Sequence, residues 1–325
     1  MGAKHGPSSG GASAFLTRSS RRKGTSVAAL LGLLLVSLLV APPADAVYPV
    51  TGTTTSASPS EIAGCTADQS ARHRDPESVV YWFKRGQVWF VSGGETGAAD
   101  FCFIFGNPGD IGVMGTWGIP GVYWPTPGVF RPSTGQWFLS GSEFGSAAAQ
   151  VRVLGGPGDV PVVGDWNGDR IDDIGVVRGQ TWFLQTDPHS IIAQGTRTVG
   201  LPGDVPVGGT AAAYQYAQPG MPLTVFRPSI ASFVLYTDGD VFNVPYNQVG
   251  SGDVPVAPVN VGQPPLLEDA TYSTDVYRPE RATLFKGTYQ GSAGISWEPA
   301  QIGQAGDQVL RSGFACSLGP PCVYP

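Results

Sequence analysis

Histidine is almost missing from this 325-residue chain: there are three, and His73 and His189 are the only two beyond the N-terminal stretch. Each stands alone. No H-E-x-x-H, no G-x-S-x-G and no phosphate-cradling glycine loop occurs, so local signatures of a zinc protease, a serine hydrolase or a nucleotide enzyme are absent. A glycosidase needs only two carboxylates brought together in space, which no spacing reveals, so a glycan-active enzyme with acids at a channel stays open as an alternative. Cysteine is also scarce, at Cys65, Cys102, Cys316 and Cys322, and no C-x-x-C metal spacing appears. Four cysteines allow three pairings. Cys316–Cys322 would close a small loop and leave Cys65–Cys102, but bonds from Cys65 to the C-terminal pair remain open.

Charge is sparse too, at 14% of residues. The longest apolar run, Val27 to Ala41, has 15 residues, short for a membrane span. It follows Arg18, Arg21, Arg22 and Lys23 and precedes Ala44-Asp45-Ala46. A basic region, an apolar region and an A-x-A-like site together read as an export signal over residues 1–46, with a mature start near Val47. An uncleaved anchor is the alternative. Arg21-Arg22 lack the hydrophobic pair that should follow a twin-arginine signal. The signal takes five basic residues and one acid with it, so 14 basic and 24 acidic residues remain of 19 and 25, a net of −10. Such a chain repels nucleic acid and anionic membrane, and suits cations and neutral glycans. A secreted monomer without stable membrane insertion is expected, and an exported protein can keep disulfides.

Glycine and proline are plentiful, 46 and 29 of 325. Disorder would follow if apolar residues were rare, but they make up 42% and aromatics 10%. The chain has enough to bury, and many short strands between Gly/Pro turns account for both facts.

The strands repeat. Pro127-Gly-Val-Phe-Arg131, Ile174-Gly-Val-Val-Arg178, Leu223-Thr-Val-Phe-Arg227 and Thr274-Asp-Val-Tyr-Arg278 share one pattern, with a weaker copy at Val80–Arg85. An aromatic-rich strand follows each. Pro-Gly-Asp or a variant recurs at Asp110, Asp159, Asp204, Asp253 and Asp307. The arginines lie 46, 47, 49 and 51 residues apart and the aspartates 49, 45, 49 and 54. Each period holds four strand-like pieces, such as Val160–Trp166, Ile174–Arg178, Thr181–Gln185 and Thr196–Gly200. Four strands at this period indicate a propeller blade. The first period enters at its second strand, and its missing first strand appears at Gln308-Val-Leu-Arg311. The expectation is all-β: a five-bladed β-propeller of four-stranded blades over 79–314, its ring closed by the C-terminal strand joining the N-terminal blade. Residues 47–78 form a Ser/Thr/Pro-rich segment and 315–325 a tail.

Residues 164–173, G-D-W-N-G-D-R-I-D-D, gather four acids in a chain poor in charge. Asp165, Asn167, Asp169, the carbonyl of Ile171 and Asp173 alternate in a 1-3-5-7-9 pattern. Oxygens so spaced converge in one loop and suit calcium, which takes six to eight oxygen ligands at roughly 2.3–2.6 Å. The stretch from Val160 to Arg178 resembles the FG-GAP/VCBS-type repeat of integrin α-chain propellers and of many secreted bacterial proteins. Phe105-Gly106 with Gly109-Asp110 is similar to that family's name-giving element. The resemblance implies a structural calcium ion between the first two strands of a blade, here at one site. It also implies a non-catalytic binding or adhesion module for a glycan or extracellular protein; a scaffold for another exported protein is the further alternative. One departure stands out: position six of the loop, usually glycine, is Arg170.

Two residue sets have competing uses. The recurrent arginines either form an anion-binding ring or pair with the recurrent aspartates, and a planar donor fork favours pairing. Trp82, Trp89, Trp137 and Trp182 fall at core positions of strands. Trp117, Tyr123, Trp124 and Trp166 lie in or beside loops and are the candidate ligand platform.

Overall fold

The computed structural model describes residues 80–92, 101–142 except 123, 145–208 except 146 and 170, 223–236, 241–246, 252–260 except 257 and 258, 271–290 except 274, and 295–312. The segments 1–46, 47–78 and 315–325 lie outside this set, as do Cys65, Cys316, Cys322 and Tyr123. The pairing of Cys102, on the outermost strand of blade 1, therefore falls outside it too.

Five antiparallel sheets form a five-bladed β-propeller. Blade 1 runs from Gln308–Ser312 at the axis through Val80–Arg85 and Val88–Ser92 to Phe101–Ile104. Blade 2 is Ile111–Gly115, Thr126–Arg131, Gln136–Ser140 and Ala148–Val153; blade 3 is Val160–Gly164, Asp173–Arg178, Thr181–Gln185 and Gly195–Thr198. Blade 4 is Val205–Pro206, Leu223–Arg227, Ser232–Tyr236 and Val241–Pro245. Blade 5 is Val254–Pro255, Val276–Arg278, Thr283–Gln290 and Ile295–Gln301. It also carries a hairpin that the repeat did not suggest: Val259–Asn260 pairs with Thr271–Ser273, which pairs with the far half of Thr283–Gln290.

Each blade has two apolar faces, and five buried clusters fill the five seams. Trp82, Trp89 and Phe103 of blade 1 meet Met114, Val129 and Phe138 of blade 2. Trp117, Trp137 and Leu139 meet Val163, Ile174 and Val176 across the next seam. Trp182 and Leu184 meet Leu223, Val225 and Val234, and Phe226, Phe233 and Tyr246 meet Val276. The last cluster joins Tyr277, Leu284 and Ile302 of blade 5 to Phe83, Phe90 and Val309 of blade 1. Trp82, Trp89, Trp137 and Trp182 are all core residues, each at most 1% exposed.

The ring closes as the repeat phase requires. Gln308–Ser312 pairs antiparallel with Val80–Arg85, from Lys84 opposite Gln308 to Val80 opposite Ser312. The Tyr81 hydroxyl donates to Asp275 at 2.9 Å across the closing seam. On the next seam, Gln308 imitates a strand: its Oε1 accepts from the Gly112 N–H at 2.8 Å and its Nε2 donates to the Gly112 carbonyl at 2.9 Å. The same place in blades 3, 4 and 5 holds Pro161, Pro206 and Pro255, which carry no N–H to satisfy. Gly112 also has no room for a side chain, since a Cβ there would lie 2.9 Å from Leu310 and Trp89.

Between blades the chain makes one turn four times over. In Asn107–Asp110 the Asp110 N–H donates to the Asn107 carbonyl at 3.1 Å, and Gly109 has φ +86°. That is a type II turn with proline second and glycine third. Gly156–Asp159, Leu201–Asp204 and Gln304–Asp307 repeat the bond. The aspartate carboxylate then accepts the N–H of the turn's first residue in all four, at 2.8–3.0 Å.

Each of those aspartates, and Asp253, holds the arginine that ends its blade's second strand. Arg85–Asp307, Arg131–Asp110, Arg178–Asp159, Arg227–Asp204 and Arg278–Asp253 are all bidentate, Nε to Oδ1 and Nη2 to Oδ2, at 2.7–2.9 Å. Phe90, Phe138, Phe183 and Phe285 lie under four of the guanidiniums. In blade 4 the Tyr236 hydroxyl accepts from Arg227 instead. The arginines are braces, not an anion-binding ring. Exposure separates them: the Arg131 side chain is 13% exposed and that of Arg178 65%. Removing one partner of a buried pair costs about 3–5 kcal/mol because the other charge is left uncompensated. Arg131→Ala is therefore expected to lose that much in urea unfolding, and Arg178→Ala distinctly less; equal losses would refute the ranking.

Candidate functional site

The topology sorts the connections onto two faces. Turns from the second to the third strand span only two to four residues, as at 86–87, 132–135, 179–180, 228–231 and 279–282. They share a face with the Pro-Gly-Asp turns and the five Arg–Asp pairs. Connections from first to second strand leave the opposite face and are longer, as at 116–125 and 165–172. The acidic loop and the loop holding Trp117 and Trp124 are neighbours on this long-loop face.

The acidic loop is built on its own backbone. Asp165, 3% exposed, accepts the N–H groups of Gly168 and Asp169 on Oδ1 at 2.7 and 3.1 Å. Gly168 turns the chain with φ +80°. Asn167 Oδ1 accepts the Asp169 N–H, Asp169 Oδ1 accepts the Ile171 N–H, and Asn167 Nδ2 donates to Asp169 Oδ2. Asp173, also 3% exposed, accepts the Trp166 N–H on Oδ2 at 3.1 Å. Asp165 and Asp173 are thus buried, while Asn167 and Asp169 face solvent. Arg170 lies outside the described residues.

The donor set is oxygen only, hard and anionic, which fits calcium in kind. Among the described residues no group of three or more His, Cys, Asp or Glu is placed to hold a metal ion. The three carboxylates nevertheless feel one another. Burial pushes the Asp173 carboxyl up to about 7, and the charges of Asp169 and Asp165 add to the rise against the pull of the Trp166 N–H and Arg152.

Asp172 has a role that the alternating pattern passed over. Its N–H donates to the Thr116 carbonyl and its Oδ2 accepts the Thr116 N–H, both at 2.7 Å. This clasp ties blade 3 to blade 2. Ile171 lies against Gly118, where a Cβ would come within 2.9 Å of it. An acid of even number, pointing away from the ligand set, was the available signal.

The ligand platform needs correction. Trp117 is 1% exposed, in the seam between blades 2 and 3, and its Nε1 donates to the Thr126 carbonyl at 3.1 Å. Its loop folds inward because Gly115 lets the indole lie back on the strand: a Cβ there would stand 2.6 Å from the ring. Trp124 and Trp166 are half-buried. Trp166 packs on the core between blades 3 and 4.

Compared with known proteins, the chain matches no family model, no curated protein and no solved structure. No helix among the described residues is long and apolar enough to cross a membrane.

The raised Asp173 has a pH signature. Its carboxyl binds its proton more tightly folded than unfolded, where the ordinary value is 3.8. The folded state then holds more protons between pH 4 and 7, so this group's contribution falls as pH rises through that window. With a chelator present, wild type minus Asp173→Asn stability should shrink from pH 4.5 to 7.5. A difference that is flat or grows would refute the buried, charge-crowded placement.

Proposed function

We propose that the protein is an exported, non-catalytic propeller that presents its long-loop face to a glycan or an extracellular protein. The observation that carries this is the division of faces. One face is pinned by five Arg–Asp pairs and the short turns between second and third strands, and the other carries the longer connections from first to second strand, such as 116–125 and 165–172. Binding residues concentrate on loops that a rigid scaffold positions. Fold alone does not fix function, so the reading rests on this face and on the resemblance to FG-GAP/VCBS repeats.

The acidic loop belongs to the same reading as a calcium-stabilised element. Asp165, Asn167, Asp169, the Ile171 carbonyl and Asp173 would hold the ion, which when bound neutralises the crowded carboxylates. Its role is structural, since Asp172 already fastens the loop to the neighbouring blade.

A ligand that binds only the native state stabilises it by RT ln(1 + [L]/Kd), about 2.7 kcal/mol at 100 times Kd. Calcium should therefore raise the melting temperature over a chelator control, and Asp169→Ala should abolish the rise. An equal response in both chains would remove the ion from this loop. For the ligand, a glycan array is the direct probe. Retention should drop at least tenfold in Trp124→Ala, with melting unchanged, and hold in Arg178→Ala on the other face. Loss in Arg178→Ala alone would move binding to the short-turn face and overturn this reading.

A further inference from the structure

Arg152 is a buried cation outside the five braces. Arg152 lies on Ala148–Val153, the outermost strand of blade 2, where its neighbours Val151 and Val153 are over 40% exposed. Arg152 itself is 4% exposed, because alternate residues of this strand face the seam with blade 3. Its Nη2 donates to the Trp117 carbonyl at 3.3 Å and to Gln150 Oε1 at 2.8 Å, and its Nε to the same Gln150 oxygen at 3.2 Å. Gln150 donates in turn to the Trp117 carbonyl at 3.2 Å. All these acceptors are neutral. Among the described residues no carboxylate accepts a hydrogen bond from Arg152, unlike every arginine that ends a second strand.

A buried guanidinium on neutral acceptors is costly unless a negative field offsets it. The field comes across the seam. Asp173 and Asp169 of the acidic loop, with Asp187 beyond the third strand of blade 3, are the charges that act on Arg152, and its charge acts back on Asp173. The carbonyl it grips belongs to Trp117, and the residue before it, Thr116, is the one that Asp172 clasps. One loop of blade 2 is thus held by a cation from its own blade and an acid from the next.

We propose that Arg152 is the resident counter-ion of the acidic loop and sets how tightly the loop takes a divalent cation. Two cations then compete for one set of carboxylates. Arg152 supports the loop when no metal is bound and opposes the metal when it arrives. The affinity clause rests on the calcium reading above; the counter-ion clause does not.

The test uses the full chain. In chelator, Arg152→Gln should lower the melting temperature, by roughly 2–4 °C per kcal/mol lost, and Asp173→Asn in the same chain should return part of that loss. Arg152→Lys, which keeps the charge, should stay near wild type. Strictly additive losses, or no loss in Arg152→Gln, would overturn the counter-ion role. In calorimetric titration with calcium chloride, Arg152→Gln should bind about tenfold tighter than wild type, the size expected when one nearby like charge is removed. Equal affinities would overturn the affinity clause. If neither chain takes calcium, that clause falls with the calcium reading, and the chelator cycle still decides the counter-ion.

Discussion

A blade of this propeller has an apolar side on each face and only its neighbours to cover them. That constraint governs the molecule. Five seams are filled by five clusters, and no blade is complete alone. A row of sheets would leave two faces bare at its ends; a ring leaves none. Closure must therefore be firm, and it is made three ways. Gln308–Ser312 completes the first blade's sheet, Arg85 grips Asp307, and Tyr81 reaches Asp275, 194 residues away in the chain. The same strand continues the work toward blade 2 through the Gln308 side chain.

The ion pairs follow from the ring. Four of them begin in a described turn that reverses the chain from one blade's edge back to the axis. Glycine at positive φ makes that turn, and its aspartate closes it with a hydrogen bond to the turn's first N–H. The carboxylate that remains buried needs a cation, and the arginine ending the blade's second strand supplies a planar fork, in four blades over a phenylalanine ring. Bracing one face so heavily leaves the other free to vary. Long connections there cost the scaffold little, because closure entropy grows slowly with loop length.

On that variable face, charge balance is less complete. The acidic loop satisfies its carboxylates with its own N–H groups, and Asp173 still carries an energetic penalty when ionised. Arg152 sits across the seam with no carboxylate in its grip. The two imbalances offset each other at a distance, so the seam between blades 2 and 3 joins apolar packing, the Asp172 clasp and an electrostatic imbalance shared by both sides.

Much of this was written in the residues. The five-fold repeat, the strand positions, the closing strand and the arginine–aspartate partnership are all signalled by pattern: alternation, turn glycines and, in four of the five blades, an arginine 19 to 25 residues after the turn's aspartate. Blade 3 shows how closely, with Thr181–Gln185 as expected and the other strands shifted by one or two residues. The acidic loop was legible as a cluster because its spacing is local. What no local pattern holds is the identity of a residue's neighbours from another blade. Trp117 reads as a loop tryptophan and is core, since Gly115 folds its indole into the seam. Asp172 reads as an extra acid and is a clasp, and Arg152, on the outermost strand of blade 2, is buried. Sequence determined the blade, because every blade but the closing one is built from contacts near in the chain. Only the tertiary structure decided the seams, because they are built from residues of different blades, whose meeting depends on the ring being closed.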